Sequence, residues 1–447
     1  MKKQSDKTDK PPAPRRLTRR EILRGAAAAA TAPYVLTSGA LGAAGLAPAS
    51  DRITVACVGV RNRGGRHLKN LLANGDVEVL AVCDVDQAVR RRAVNRVAGA
   101  CPRRWPSPGR GAPAQTGDYR QIASRGDVDA VVIATPDHTH AVIAVEMLRA
   151  GLNVYVEKPI ALTIREGQAI AAAAKAAGLV VQAGCQRRSN PKFRLACELA
   201  RNGALGRLLR IEVAIPRRSM APTPWSPEPV PAGFDYDAWL GPAPQAPYTA
   251  GRCHYNWRFI RDYSGGELAG PAFHGLDLAQ WAIADDGGPV AVEGQGEYYP
   301  IGLYDAFHRV NVQWTYANGV KLICRSGGVA ATRLIGTDGW LEADSLRASS
   351  PDIFTNAAAA GDGQPPAGGS SGGSHMRNFL AAVRAGNPDA AAAGAQVGHR
   401  TSTLCHLGEI AMCLGRPLRW DPAGEWFPDD AEAEEMTHRP YRRPWTL

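Results

Sequence analysis

The chain has 447 residues, 45% hydrophobic and 21% charged, an ordinary globular composition that excludes a disordered polymer and leaves room for two or three domains. Its formal net charge is +10, but residues 1–49 hold nine Lys and Arg against three Asp and Glu, so the remainder keeps only +4, scattered apart from Arg90-Arg91-Arg92 and Arg103-Arg104; no basic stripe interleaved with aromatics points to nucleic acid. Nine cysteines form no Cys-x-x-Cys pair and no His/Cys cluster of zinc spacing, so no metal and no disulfide framework is expected, and thiols within apolar runs, such as Cys57, read as buried and free.

The first element is a leader. Thr18-Arg19-Arg20-Glu21-Ile22-Leu23-Arg24 is a twin-arginine pattern, followed by an Ala/Gly-rich stretch over 25–46 and a cleavage-like Ala47-Pro48-Ala49. Residues 1–49 therefore read as a twin-arginine signal peptide. This makes the twin-arginine export machinery a partner and places the protein in the periplasm or otherwise outside, with a membrane tether if the leader is retained. Alanine, glycine and Pro33 make a poor span, and no later segment has the ~18 apolar residues a transmembrane helix needs.

From residue 52 to 181 short apolar strands over 53–58, 77–82, 128–133, 154–156 and 179–181 alternate with helical runs over 65–73, 87–97, 141–150 and 164–177. That alternation is the signature of a parallel sheet with crossovers. The Pro/Gly/Arg stretch over 101–117 reads as a surface loop. After Gly184 the character changes: a helix over 191–201, a strand over 208–215, a Pro-rich passage over 216–247, then strands over 290–298, 310–316, 320–324 and 332–335. These predict a mainly antiparallel sheet. A flexible loop follows, dense in Gly and Ser over 361–374 and beginning near 346, and then helices over 376–385 and 396–414. The fold class is α/β, with a Rossmann dinucleotide-binding domain over 50–184 and a second α/β domain over 185–447.

Gly59-Val60-Arg61-Asn62-Arg63-Gly64-Gly65 follows the first strand and opens a helix, and Asp84 ends the second strand, about 20 residues on as a dinucleotide fingerprint requires. Gly59 allows the tight turn and Gly64 close helix packing. The helix N-terminus, with Arg61, Asn62 and Arg63, faces a pyrophosphate. Asp84 is placed to bind ribose hydroxyls and to repel a 2′-phosphate, which favours NAD over NADP. Arg61 stands where a second glycine normally lets backbone approach phosphate, and either pairs with the phosphate or crowds it; a purely structural strand-helix turn is the alternative. Folding before export suits a protein that loads a dinucleotide and keeps unpaired cysteines in a reducing compartment.

Glu157-Lys158-Pro159, preceded by Ala134-Thr135-Pro136-Asp137-His138-Thr139-His140, resembles the glucose-fructose oxidoreductase/inositol dehydrogenase (Gfo/Idh/MocA) family. The resemblance continues through Gln182–Arg188, Cys253–Arg258 and Asp277–Trp281, and Gly398-His399-Arg400-Thr401 and Arg439-Pro440-Tyr441 look like its exported branch. It implies a second domain with an open sheet that lines the substrate site, sugar-like or cyclitol substrates, and dimers or tetramers formed through that sheet.

On this resemblance Lys158 and His274 are the catalytic candidates. The lysine sits at the carboxyl edge of the sheet, to polarise a hydroxyl or shuttle its proton, and the histidine serves as base. Thr135, Pro136 and His138 match the loop beside the nicotinamide ribose, and Glu157 joins Lys158 against the cofactor. Gln186, Trp257, Arg258 and Asp277 are placed near the substrate. The family pattern has an aspartate four residues before the histidine, and here that position is Gly270. Three functions stay open: NAD-dependent oxidation of a sugar or cyclitol hydroxyl, glycoside cleavage or elimination through transient oxidation on tightly held NAD, and a catalytically impaired carbohydrate-binding relative.

Overall fold

The computed structural model describes residues 48, 51–100, 112–217, 225–284, 287–299, 302–355 and 374–447; the leader reading over 1–49 and most of the 361–374 loop lie outside them. The first half alternates β1 (Ile53–Val58), α1 (Asn62–Leu72), β2 (Val77–Cys83), α2 (Gln87–Ala100), β3 (Ala114–Thr116), α3 (Arg120–Ala123), β4 (Ala130–Ile133), α4 (Asp137–Arg149), β5 (Asn153–Val156), α5 (Ile164–Ala177) and β6 (Val181–Ala183). The six strands pair in parallel in the order β3-β2-β1-β4-β5-β6. Helices on both faces explain why β1 and β4 are apolar runs without alternation: both faces are buried. This is the doubly wound Rossmann order, whose ligand crevice lies at the carboxyl ends of the strands.

The second half adds α6 (Pro191–Arg201), β7 (Leu208–Ile215), α7 (Tyr236–Leu240), α8 (Phe273–Ile283), β8 (Pro289–Tyr298), β9 (Phe307–Tyr316), β10 (Lys321–Ser326), β11 (Ala331–Gly336), β12 (Trp340–Glu342), β13 (Arg347–Ala348), α9 (His375–Ala385), α10 (Ala395–Leu414), β14 (Leu418–Arg419) and α11 (Ala431–Glu435). Eight strands form one sheet in the order β13-β12-β11-β7-β10-β9-β8-β14. Among the described residues of this sheet the β7–β10 pair is parallel and the others are antiparallel. Here the strands do alternate. On β9 Val310, Val312, Trp314 and Tyr316 are buried while Asn311, Gln313 and Thr315 point to the other face, so one face packs on helices and the other is open.

Helix α10 is buried on most of its circumference because it packs on α5 and β6 of the first sheet and on α8, β8 and β9 of the second. Trp314 anchors it by donating its Nε1–H to Leu404 O at 3.1 Å. Helix α9 returns to the first domain: Met376, Phe379 and Leu380 join Val55, Cys57 and Tyr155 in one core.

Several local expectations need correction. Within the expected loop over 101–117, Ala114–Thr116 is an edge strand beside β2; Ala-Gln-Thr carries no apolar signal, and the pairing supplies what propensity does not. The strand expected over 179–181 lies at Val181–Ala183. The loop expected from 346 starts too early, since Arg347–Ala348 pairs with β12 and 352–355 form a helical turn, while Ser374 is the N-cap of α9. Inside the Pro-rich passage, Asp235 caps α7 through Ala238 N at 2.9 Å.

Candidate active site

A cavity of about 550 Å³ lies where β1, β2, β4 and β5 end, walled on its other side by residues of the second half. The β1–α1 turn fixes its floor. Gly59 has φ +75°, and a Cβ there would come within 2.8 Å of Ala134 C; a Cβ on Gly64 would lie 1.8 Å from Gly59 O. Only glycine permits this close approach. Helix α1 starts with no side-chain cap and no acid in its first turn, so its first amides and its dipole face the cavity. Arg61, Asn62 and Arg63 line it. The Arg61 side chain is drawn toward the end of β2, with Nη1 2.6 Å from His254 Nδ1 and 3.7 Å from Asp86 Oδ2.

Asp84 accepts bonds from Val60 N at 2.9 Å and Asp86 N at 3.1 Å. Burial pushes its carboxyl above the usual range despite these amides. The turn is thus tied directly to the residue expected on the ribose. This floor fits a dinucleotide: a glycine cradle that any Cβ would fill, an uncapped helix N-terminus, and a carboxylate at the end of β2.

Glu157 is the hub of the site. Its Oε1 accepts from Arg63 Nε at 2.8 Å, from His67 Nε2 at 2.7 Å and from Gln186 Nε2 at 2.9 Å, and Gln186 also donates to Tyr155 OH at 2.9 Å. Burial opposes its ionisation, but His67 and Arg63 outweigh it and hold the carboxyl well below the usual range. Glu157 and Gln186 line the cavity while fixing α1 to the β5 and β6 loops.

Lys158 points across the cavity and donates from Nζ to Gly270 O at 2.6 Å and Ala269 O at 3.2 Å. Burial pulls its pKa down, against the charges of Asp137 and Glu157. Those carbonyls belong to a π-helical turn, Leu268–Ala272, with Pro271 inside it, running straight into α8. Such turns are rare and concentrate at functional sites. His274, in the first turn of α8, lines the cavity, and its Nδ1 is buried with no hydrogen-bond partner. Burial and the positive charges of Lys158 and Arg187 push its pKa down to about 3, so the ring is neutral.

Two expected site residues lie elsewhere. Asp277 is fully buried outside the cavity, accepting from Arg188 Nε at 2.8 Å and Thr401 Oγ1 at 3.1 Å; three residues past His274, it faces α6 and α10 rather than substrate. His138 turns away into an aromatic cluster, its Nε2 at 3.0 Å from Trp239 O and its ring 4.9 Å from Tyr263, where burial pushes it down to about 4. Its neighbours face inward instead. Thr135, Pro136, Asp137 and His140 line the cavity, and the His140 ring bridges Thr135 O at 3.0 Å and Pro159 O at 2.7 Å. Sequence reading missed Asp137 and His140, although they are spaced i, i+3 on a helix that begins at 137.

Trp257 and Arg258 form part of the upper wall, with the guanidinium 4.3 Å above the Trp257 ring. The rest of the roof is a strap. Gln87 N donates to Gly233 O at 2.9 Å and Asp235 N to Val85 O at 3.0 Å, and the backbones of Asp86 and Phe234 form a bridge. Trp445 closes the β3 end, its ring 6.2 Å from Tyr119 and 4.7 Å from the Arg120 guanidinium. Arg442 anchors this segment through Asp237 Oδ1 at 2.6 Å. Among the described residues no group of His, Cys, Asp and Glu could hold a metal ion, and the described cysteines are free.

Comparison with known proteins follows the same division. The family model for an oxidoreductase NAD-binding Rossmann fold matches residues 53–185, and that for the C-terminal alpha/beta domain matches 220–447. A glycosyl hydrolase family 109 protein of Shewanella sp. (strain W3-18-1) is 34% identical over 176 residues, 38% of this chain and 36% of its own length; the chain thus aligns with about a third of the length of such relatives. Two solved structures share the fold. The WlbA dehydrogenase of Chromobacterium violaceum, in complex with NADH and UDP-GlcNAcA, has a TM-score of 0.61 at 17% identity, covering 84% of this chain and 97% of that one. Levoglucosan dehydrogenase, in complex with NADH and L-sorbose, has a TM-score of 0.60 at 19% identity, covering 83% and 99%. With both of its halves matched, the chain belongs to the Gfo/Idh/MocA family of NAD-binding oxidoreductases.

Proposed function

We propose that the protein oxidises a ring hydroxyl of a sugar or cyclitol with NAD. The observation that carries this reading is the continuity of one cavity, with a dinucleotide end at Gly59, Arg61, Asn62 and Asp84 and a polar end at Lys158, Gln186 and His274. Bound NAD supplies the electron acceptor. The chain's own residues do the rest: Gln186 and Arg258 hold hydroxyls, Trp257 offers a ring for a sugar face, and the Lys158 ammonium steadies negative charge on the reacting oxygen. Native mass spectrometry of the purified protein tests the cofactor and reports the subunit count, for which we propose a homodimer or tetramer. Absorbance of NADH during incubation with a panel of sugars and cyclitols tests the oxidation. A folded protein that neither carries nor binds NAD ends this reading.

The strap favours a second version of the same chemistry. Backbone bonds from 233 and 235 to 85 and 87, with Trp445 at the far end, hinder exchange of a bound dinucleotide. A cofactor that stays in place suits a cycle in which oxidation acidifies a neighbouring C–H, a glycosidic bond is cleaved, and the carbon is reduced again. The resemblance to glycosyl hydrolase family 109 proteins supports it. Release of p-nitrophenol from aryl glycosides without accumulation of NADH distinguishes it from net dehydrogenation, and saturable sugar binding with no product from either assay would leave a carbohydrate-binding relative. We further propose export by the twin-arginine route. Replacing Arg19 and Arg20 together by Lys is expected to leave the folded protein in the cytoplasm, and normal export of that variant would remove the assignment.

A further inference from the structure

Removing the C–H hydrogen of an alcohol with its electron pair leaves a hydroxyl proton that a base must take. His274 is poorly suited, because burial and two cations hold its pKa to about 3, and Gly270 supplies no carboxylate to raise it. The acids at the β2 end are engaged elsewhere, Asp84 by the amides of Val60 and Asp86, and Asp237 by Arg442. Glu157 is saturated by Arg63, His67 and Gln186.

Asp137 differs from all of these. It is the first residue of α4, only 4% exposed, and lines the same cavity as Lys158, Gly270 and His274. The Ser264 hydroxyl donates to it, Lys158 and Arg258 face it with positive charge, and Glu157 with negative. The helix N-terminus favours its ionised form. Burial nevertheless pushes its pKa up to about 7, against Lys158, Arg258 and Ser264. That is the range in which a carboxyl both takes and returns a proton at neutral pH.

We propose that Asp137 is the general base of this site, occupying in space the role that residue 270 cannot fill. Its carboxylate accepts the hydroxyl proton while the C–H hydrogen leaves with its electron pair to the nicotinamide. The O–H and C–H bonds break, the C=O bond forms, Asp137 becomes a carboxyl and NAD is reduced. Lys158 stays an ammonium throughout and stabilises the alkoxide. A redox-neutral cycle returns both hydrogens, so the proton needs no path to bulk water, and a nearly buried acid suits that economy. This inference rests on the oxidoreductase reading above.

The test separates the two. Calorimetric titration of NAD into the protein, in two buffers of different ionisation heat, reads proton release. The positive nicotinamide ring favours an ionised Asp137, so binding lowers its pKa, and a proton is released at and just below the pH of its half-ionisation. Asp137→Asn is expected to bind NAD with that release lost, and Ser264→Ala to shift it to higher pH because a donor to the carboxylate is gone. With the panel sugar that reduces bound NAD fastest in the unmodified protein, Asp137→Asn is expected to slow reduction about 10²–10⁴-fold, and Asp137→Glu to recover part of it. Unchanged proton release in Asp137→Asn, or reduction within about threefold of the unmodified rate, overturns the role of Asp137. Failure of the unmodified protein to bind NAD, or of every panel sugar to reduce it, overturns the oxidoreductase reading instead.

Discussion

Gly270→Asp restores to the chain the carboxylate that the family pattern places one helical turn before His274. The site has room for it: a Cβ on Gly270 meets nothing within 4 Å, and Lys158 binds the carbonyl of this residue, not a side chain. Residues four apart on a helix have Cβ atoms about 5–6 Å apart, and at an effective dielectric near 20 a unit charge at that distance is worth about 3 kcal/mol. This corresponds to roughly a hundredfold in proton affinity, moving half-protonation of His274 from about 3 to about 5 at most, because Lys158 competes for the same carboxylate. The ring stays neutral at pH 7 but becomes a better base, so in the Asp137→Asn background, where the stronger base is gone, oxidation of the best panel sugar is expected to rise by about ten- to a hundredfold, within what general-base catalysis supplies. With Asp137 present the same change is expected to add little, because the stronger base is already in place. NMR titration of the His274 ring and stopped-flow NADH absorbance read the two effects. An unmoved His274 would show that the new carboxylate does not face it. A His274 that titrates higher with no gain in rate in the Asp137→Asn background refutes the idea that proton affinity at this position can replace the lost base.

Other substitutions separate frame from site. Asp277→Ala strands Arg188 and is expected to cost about 3–5 kcal/mol of stability, read by denaturant unfolding, with NAD affinity retained by the folded fraction; a large loss of sugar binding with unchanged stability would put Asp277 back at the substrate. Asp84→Ala is expected to weaken NAD by about 1–3 kcal/mol, read by calorimetry, and an unchanged affinity removes Asp84 from the ribose. Trp445→Ala is expected to speed release of bound NAD without altering the sugar panel, measured by native mass spectrometry after dilution; retention equal to the unmodified protein would mean that this residue does not close the cavity.

Sequence periodicity located most of the fold because its strongest signals are local. Strands β1 and β2 are apolar runs ended by turn residues, and α5 begins at Thr163, whose hydroxyl accepts from Glu166 N, and ends at Gly178 with φ 63°; both caps are readable in the chain. Strand β3 was not readable, since its three residues owe their conformation to β2. Helix α4 begins four residues before the apolar run at 141 that signals it. Asp137, His138 and His140 look like loop residues, yet each is buried against partners distant in sequence, such as Trp239 O and Pro159 O. That offset carries into the site: with the helix started at 141, nothing indicates that 137 and 140 face one way and 138 another. Family resemblance points to Lys158 and His274 and groups Asp277 with the substrate residues, whereas side-chain direction on α8 turns Asp277 onto Arg188 and Thr401.

The return of α9 to the first sheet bears on how the chain is made. Met376, Phe379 and Leu380 complete the core around β1 and β5, so the nucleotide-binding half stays unfinished while some 200 further residues are synthesised, about 10–40 s at ordinary rates of synthesis. During that interval an apolar face beside α1 is uncovered, and a fragment ending near residue 184 would keep it uncovered permanently. Such a fragment is expected to aggregate or bind chaperones rather than serve as a separable dinucleotide module. Cofactor loading is correspondingly expected to be a late event, after the ribosome has passed the second sheet.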